Sequence, residues 1–196
     1  MTITKEQLHL AGWLSITNAI FAIPCIAMSW FLETIGGAGA KLSQAILTLV
    51  SLGLFVYVIS SLRKLLNSRF QFHDIDTYIS LLIWGNVALT MLSVLSLGSR
   101  RLEMAINILT ILAFVYFGIL SIMFATRLLR LPGGLYGLLK PFCYITVISG
   151  ICFITVILSP VGIVVGAVGD VILGIIFFRA AEQPPSAMEL LSTPVE

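Results

Sequence analysis

Apolar side chains fall into six long blocks along this chain, at 8–32, 42–62, 77–98, 104–126, 140–158 and 161–178, and most polar residues lie in the short stretches between them. Each block reaches or approaches the ~20 residues that a helix needs to cross a bilayer. None shows the ~10-residue alternation of a barrel strand. Backbone groups find no partners in hydrocarbon, so the blocks are read as helices. The pattern predicts an all-α fold: a polytopic membrane protein, a bundle of six transmembrane helices with short loops and antiparallel neighbours. A single membrane domain is expected over 1–181. Residues 182–196, "EQPPSAMELLSTPVE", are expected to form a flexible cytoplasmic tail.

Composition supports lipid as the solvent, because apolar residues make up 59% of the chain and charged residues 10%, against roughly a quarter in soluble domains. The first block is too long for a signal peptide and no A-x-A-like cleavage site follows it, so it is read as a retained span. Lys and Arg then set the orientation. Eight of them (Lys5, Arg63, Lys64, Arg69, Arg127, Arg130, Lys140 and Arg179) fall on one side, and three (Lys41, Arg100 and Arg101) on the other. By the positive-inside rule both termini are expected to be cytoplasmic, in the plasma (inner) membrane if the source is bacterial. Trp13 and Tyr78 near the inner border and Trp30 near the outer one agree with this placement.

The net charge of +2 is small, and the basic residues form no tract interleaved with exposed aromatics, so no nucleic-acid partner is expected. Cys25, Cys143 and Cys152 lie inside apolar blocks without a C-x-x-C pair, so neither metal site nor cofactor is expected. Membrane lipids are the expected surroundings. Two connections read as interfacial. In "SLRKLLNSRFQF", Leu62, Leu65, Leu66 and Phe70 share a helix face opposite Arg63, Lys64, Asn67 and Gln71, which suits an amphipathic extension at the headgroups. In "RLLRLPGGLYGLLKP", Pro132, Gly133 and Gly134 are expected to end the fourth span before a short apolar piece.

The sixth block, "VGIVVGAVGDVILG", holds the strongest chemical signal. Gly162, Gly166, Asp170 and Gly174 recur every four residues and share one helix stripe. The glycines read as helix-packing positions, since small residues let a second backbone approach closely. Asp170 is the only formally charged side chain expected near the bilayer centre, where an ionised Asp costs about 2.5–3.5 kcal/mol. It must therefore face protein or water. Counting residues inward places Asn18 of the first span and Asn86 of the third near its level, with Thr90 one turn beyond Asn86. The expectation is that spans one, three and six meet around Asp170, Asn18, Asn86 and Thr90. Pro24 removes a backbone hydrogen bond and is expected to free a carbonyl for the same place. Interhelical hydrogen bonding alone is the competing role for Asp170.

No H-E-x-x-H, G-x-S-x-G or P-loop pattern occurs, so the chain is not expected to be an enzyme. The leading functional reading is a small transporter, channel or solute-binding membrane subunit acting on a small solute or proton. An alternative is a non-catalytic assembly subunit whose glycine stripe docks a second copy or a partner membrane subunit. A third is a membrane-embedded lipid-modifying enzyme, which would need His73, Asp74 and Asp76 of "HDIDTY" to bind a metal. In span number and size the chain loosely resembles the substrate-binding subunits of energy-coupling-factor vitamin importers. It lacks the Ala-x-x-x-Ala signature that those subunits carry in their first span.

Overall fold

The first helix is started by its own side chains. Thr4 accepts a hydrogen bond from the Gln7 N–H while the Gln7 side chain accepts one from the Thr4 N–H, which satisfies two backbone donors at the end of α1 (Lys5–Ile35). The chain turns at Gly36 and Gly37, whose φ angles of 66° and 86° lie in the left-handed region that glycine adopts without cost. It returns directly as α2 (Gly37–Phe70), and α3 (Asp76–Ser96), α4 (Arg100–Leu128), α5 (Leu139–Ile154) and α6 (Ser159–Glu182) follow. A 3-10 turn at Gly134–Gly137 joins α4 to α5. This computed structural model describes residues 3–96, 100–131 and 134–183, among which no strand occurs. Gly98, Pro132, Gly133 and the tail beyond 183 lie outside the described residues, as do the side chains of Trp30, Arg100 and Arg101.

Five of the six helices are long and apolar enough to cross a membrane. The exception is α5, where the expected span over 140–158 is cut to 16 residues, about 24 Å of helix. It stops at Ile154, and the turn to α6 is made by residues 155–158, with Val156 at φ 55°. Ser159, Pro160, Val161 and Gly162 form the first turn of α6. Pro160 fits there because the first turn of a helix has no partner for its N–H groups.

The helices pack as a ring. Each lies against its sequence neighbours, and α1 against α6 closes the circle. The expected meeting of spans one, three and six does not occur, because α3 packs against α2 and α4. The start of α1 and the end of α6, with the α2–α3 and α4–α5 connections, lie at one end of the ring, here the proximal end. The α1–α2 and α5–α6 turns mark the distal end.

The proximal end is densely packed, and both connections expected at the headgroups are built into it. Leu62, Leu65 and Leu66 are fully buried on the continuous helix α2, in one cluster with Leu8, Ile75 and Leu128. The apolar face of "SLRKLLNSRFQF" is thus covered by the other helices instead of by lipid. Leu131, Leu135 and Leu139 of the α4–α5 connection join the same cluster. Arg69 donates to the Tyr136 hydroxyl at 2.9 Å and to the Gln183 carbonyl at 3.2 Å, and Arg179 donates to the Tyr136 carbonyl at 2.8 Å. These bonds tie the ends of α2 and α6 to the α4–α5 connection.

Candidate functional site

Asp170 lies midway along α6, half-buried on the wall of a cavity of about 180 Å³ inside the ring. Phe55 and Ile59 of α2, Leu82 of α3, and Phe124 of α4 form part of the lining. Phe142, Ile145, Thr146 and Ser149 of α5 and Gly166, Gly169 and Leu173 of α6 form most of the rest. Among the described residues, Asp170 is the only ionisable side chain on these walls.

The α1–α6 seam holds Asp170 in place. Asn18 Nδ2 donates to Asp170 Oδ2 at 2.7 Å, and the fully buried Ser15 donates its hydroxyl to the Asp170 backbone carbonyl at 2.7 Å. A carbonyl inside a helix already accepts from the next turn, so the Ser15 bond is an additional tie between the two helices. The seam is close because of glycine: a Cβ on Gly174 would sit 2.8 Å from Ile16 and 3.1 Å from the Gly12 carbonyl. A Cβ on Gly12 would meet the Phe178 ring at 2.9 Å. Trp13 packs edge-on against that ring with centroids 5.6 Å apart.

Of the residues expected at the site, the structure brings Asn18 to Asp170 and leaves Asn86 and Thr90 apart. Both lie on α3, line no part of this cavity, and make no hydrogen bond among the described residues. Residue counts give depth but do not fix which helices are neighbours. Pro24 stays within an unbroken α1, and Ile20, whose carbonyl it deprives of a donor, is exposed and off the cavity wall. Ser15 was visible as one turn from Asn18 on the same stripe, but a lone serine gives no signal in sequence.

The glycine stripe of α6 divides by function within the chain. Gly162 meets α5, where its Cβ would lie 3.0 Å from Cys152, and Gly174 meets α1. Gly166 and Gly169 instead leave room at the cavity wall: a Cβ on either would touch only Ser149 Oγ or Ile145 Cγ2, at 3.5 Å. Another tight approach lies between Gly118 of α4 and Gly150 of α5. A Cβ on Gly118 would stand 2.6 Å from the Gly150 carbonyl, and one on Gly150 2.8 Å from the Gly118 carbonyl. Each is a lone glycine in an apolar helix, so no spacing pattern marks it.

A second cavity, of about 370 Å³, lies between α1 and α2. Thr17, Asn18, Cys25 and Ser51 are its polar lining residues. Asn18 thus lines the distal cavity while its amide holds the carboxylate that lines the ring cavity. The two spaces approach each other at this one hydrogen bond.

The "HDIDTY" cluster is organised around α2. Asp76 accepts from Arg63 at 2.9 Å and from Asn67 at 3.0 Å, and its other oxygen lies 3.2 Å from His73 Nδ1. Desolvation pushes the Asp76 carboxyl up, but the hydrogen bonds from Arg63, Asn67 and His73 outweigh it and hold it below its usual value. Asp74 is exposed, and among the described residues no group of three or more His, Cys, Asp or Glu is placed to hold a metal ion. The arrangement ties α2 to the first turn of α3.

No family model, curated protein or solved structure matches this chain.

Proposed function

We propose that the chain is an integral membrane protein with six spans that binds and moves a small solute or proton, with Asp170 as the group that contacts it. The observation that carries this reading is a carboxylate on the wall of a cavity lined by five of the six helices, one of whose oxygens is held by Asn18. A carboxylate serving only to join helices has no need of an open space beside it. The excess of Lys and Arg at the proximal end supports a cytoplasmic position for both termini. The assembly reading loses its docking stripe, because Gly162 and Gly174 are covered by α5 and α1 of the same chain.

The test is flux in proteoliposomes made with the full chain. A proton-sensitive dye and a panel of small charged and neutral solutes should reveal a permeation that protein-free vesicles lack. Asp170→Asn keeps the shape of the side chain and removes its charge, so it should cut that flux at least about tenfold, the scale of one lost charge-assisted hydrogen bond. Flux unchanged in Asp170→Asn overturns the proposal.

A further inference from the structure

We infer that the ring cavity takes a monovalent organic ammonium ion of about benzylamine size, its nitrogen on Asp170 and its apolar body among Phe55, Phe124 and Phe142. The inference rests on the proposed solute-binding role of Asp170 and adds the class of solute.

Charge selects a cation. Among the described residues, Asp170 is the sole ionisable group on the wall, with no Lys, Arg or His to balance it there. Asn18 engages only Oδ2, and Oδ1 has no hydrogen-bond partner among the described residues. The neutral polar groups agree in sign. The Ser149 hydroxyl donates its hydrogen bond to the Gly162 carbonyl at 2.9 Å, and the Thr146 hydroxyl donates its own to the Phe142 carbonyl at 2.8 Å. What these two hydroxyls can offer a ligand is lone pairs, which suit the N–H donors of an ammonium group and repel an anion.

The walls select an organic cation over a bare metal ion. A metal such as calcium takes six to eight oxygen ligands. This cavity has one carboxylate and three hydroxyl-bearing residues, Ser121, Thr146 and Ser149, and the remainder is hydrocarbon. Three phenylalanines, one each from α2, α4 and α5, are among the residues that line it. The negative faces of such rings attract an ammonium ion, and their area shelters its apolar part. Size then limits the body, since an apolar cavity of about 150 Å³ accepts benzene. At about 180 Å³ this one has room for a single ring or a short branched chain with its ammonium group.

The experiment is calorimetric titration of the full chain in lipid nanodiscs with benzylamine, below its pKa, and with benzyl alcohol, a neutral isostere; empty nanodiscs provide the partitioning background. Benzylammonium should bind at least about tenfold more tightly than the alcohol, as expected for one charge-assisted contact. Asp170→Asn should bring the two affinities together. Gly166→Ala and Gly169→Ala, which meet no close contact and only narrow the space, should weaken benzylammonium binding while Asp170 remains. The glycine variants therefore carry the test even if Asp170→Asn does not fold. Equal affinity for the two probes, a preference retained in Asp170→Asn, or binding indifferent to both glycine variants overturns the inference. If Asp170→Asn abolishes flux while benzylammonium shows no preference in the wild type, the transport role stands and the ammonium assignment falls.

Discussion

The two halves of this ring bury their apolar side chains to different extents. In the proximal half Leu8, Leu62, Leu128 and Phe177 are buried against one another, and the α4–α5 connection is folded in among them. In the distal half Phe21, Met28, Phe31, Leu42 and Ile46 along the α1–α2 hairpin are exposed. Length explains part of the contrast: α2 runs for 34 residues, about 51 Å, while α5 runs for 16, about 24 Å, and leaves the hairpin without cover. In lipid such exposure carries no hydrophobic penalty, since the surroundings are as apolar as the side chains. Asp170 stands at the border between the closed half and the open one.

The largest expected effect comes from truncating the closed half. Phe177→Ala should destabilise the protein by about 3 kcal/mol, at the low end for buried aromatics because in lipid the cavity contributes more than the transfer term. Phe31→Ala, 65% exposed, should stay within about 0.5 kcal/mol. Unfolding in mixed micelles compares the two, and equal losses would erase the distinction between the halves. Gly118→Ala comes next. Its methyl must displace the Gly150 backbone, and overpacking of that kind costs about 1–3 kcal/mol. The same assay should show a loss there but little change for Gly166→Ala, whose methyl enters open space.

The smallest effect concerns pH at the proximal end. Because the folded protein holds the Asp76 carboxyl below its usual value, the unfolded chain takes up the proton first as acid is added. The contribution of this group to stability is therefore full above about pH 4 and lost as the pH falls through the lower folded value. Melting curves should decline in acid less for Asp76→Asn than for wild type. Added salt should shrink the difference, since Arg63 is 41% exposed.

What was legible in the sequence follows from which signals survive in an apolar solvent. The helices are legible, because runs of apolar residues in lipid admit little else. Asn18 and Asp170 were legible as costly groups at similar depth, with Asn86 an equal candidate. Asn86 met the same criteria and lies elsewhere, since helices apolar on every side do not reveal which neighbour each one faces. The end of α5 at Ile154 was hidden for a related reason: Val156, Ile157 and Leu158 are as apolar as the helix before them. The Gly118–Gly150 crossing left only two isolated glycines, each disfavoured in a helix by about 1 kcal/mol relative to alanine. That penalty was the available clue, and close backbone approach is what offsets it.

The central claim, that Asp170 serves a solute rather than the bundle, is tested most directly by measuring Asp170→Asn for unfolding free energy and for flux on one preparation. An interhelical hydrogen bond in a membrane protein contributes about 0.6 kcal/mol on average, and the amide introduced by this substitution can still meet Asn18. The account predicts stability within about 1 kcal/mol of wild type, with flux per folded molecule reduced at least about tenfold. A loss of several kcal/mol in stability, with flux per folded molecule unchanged, would contradict it and make Asp170 a structural tie between α1 and α6.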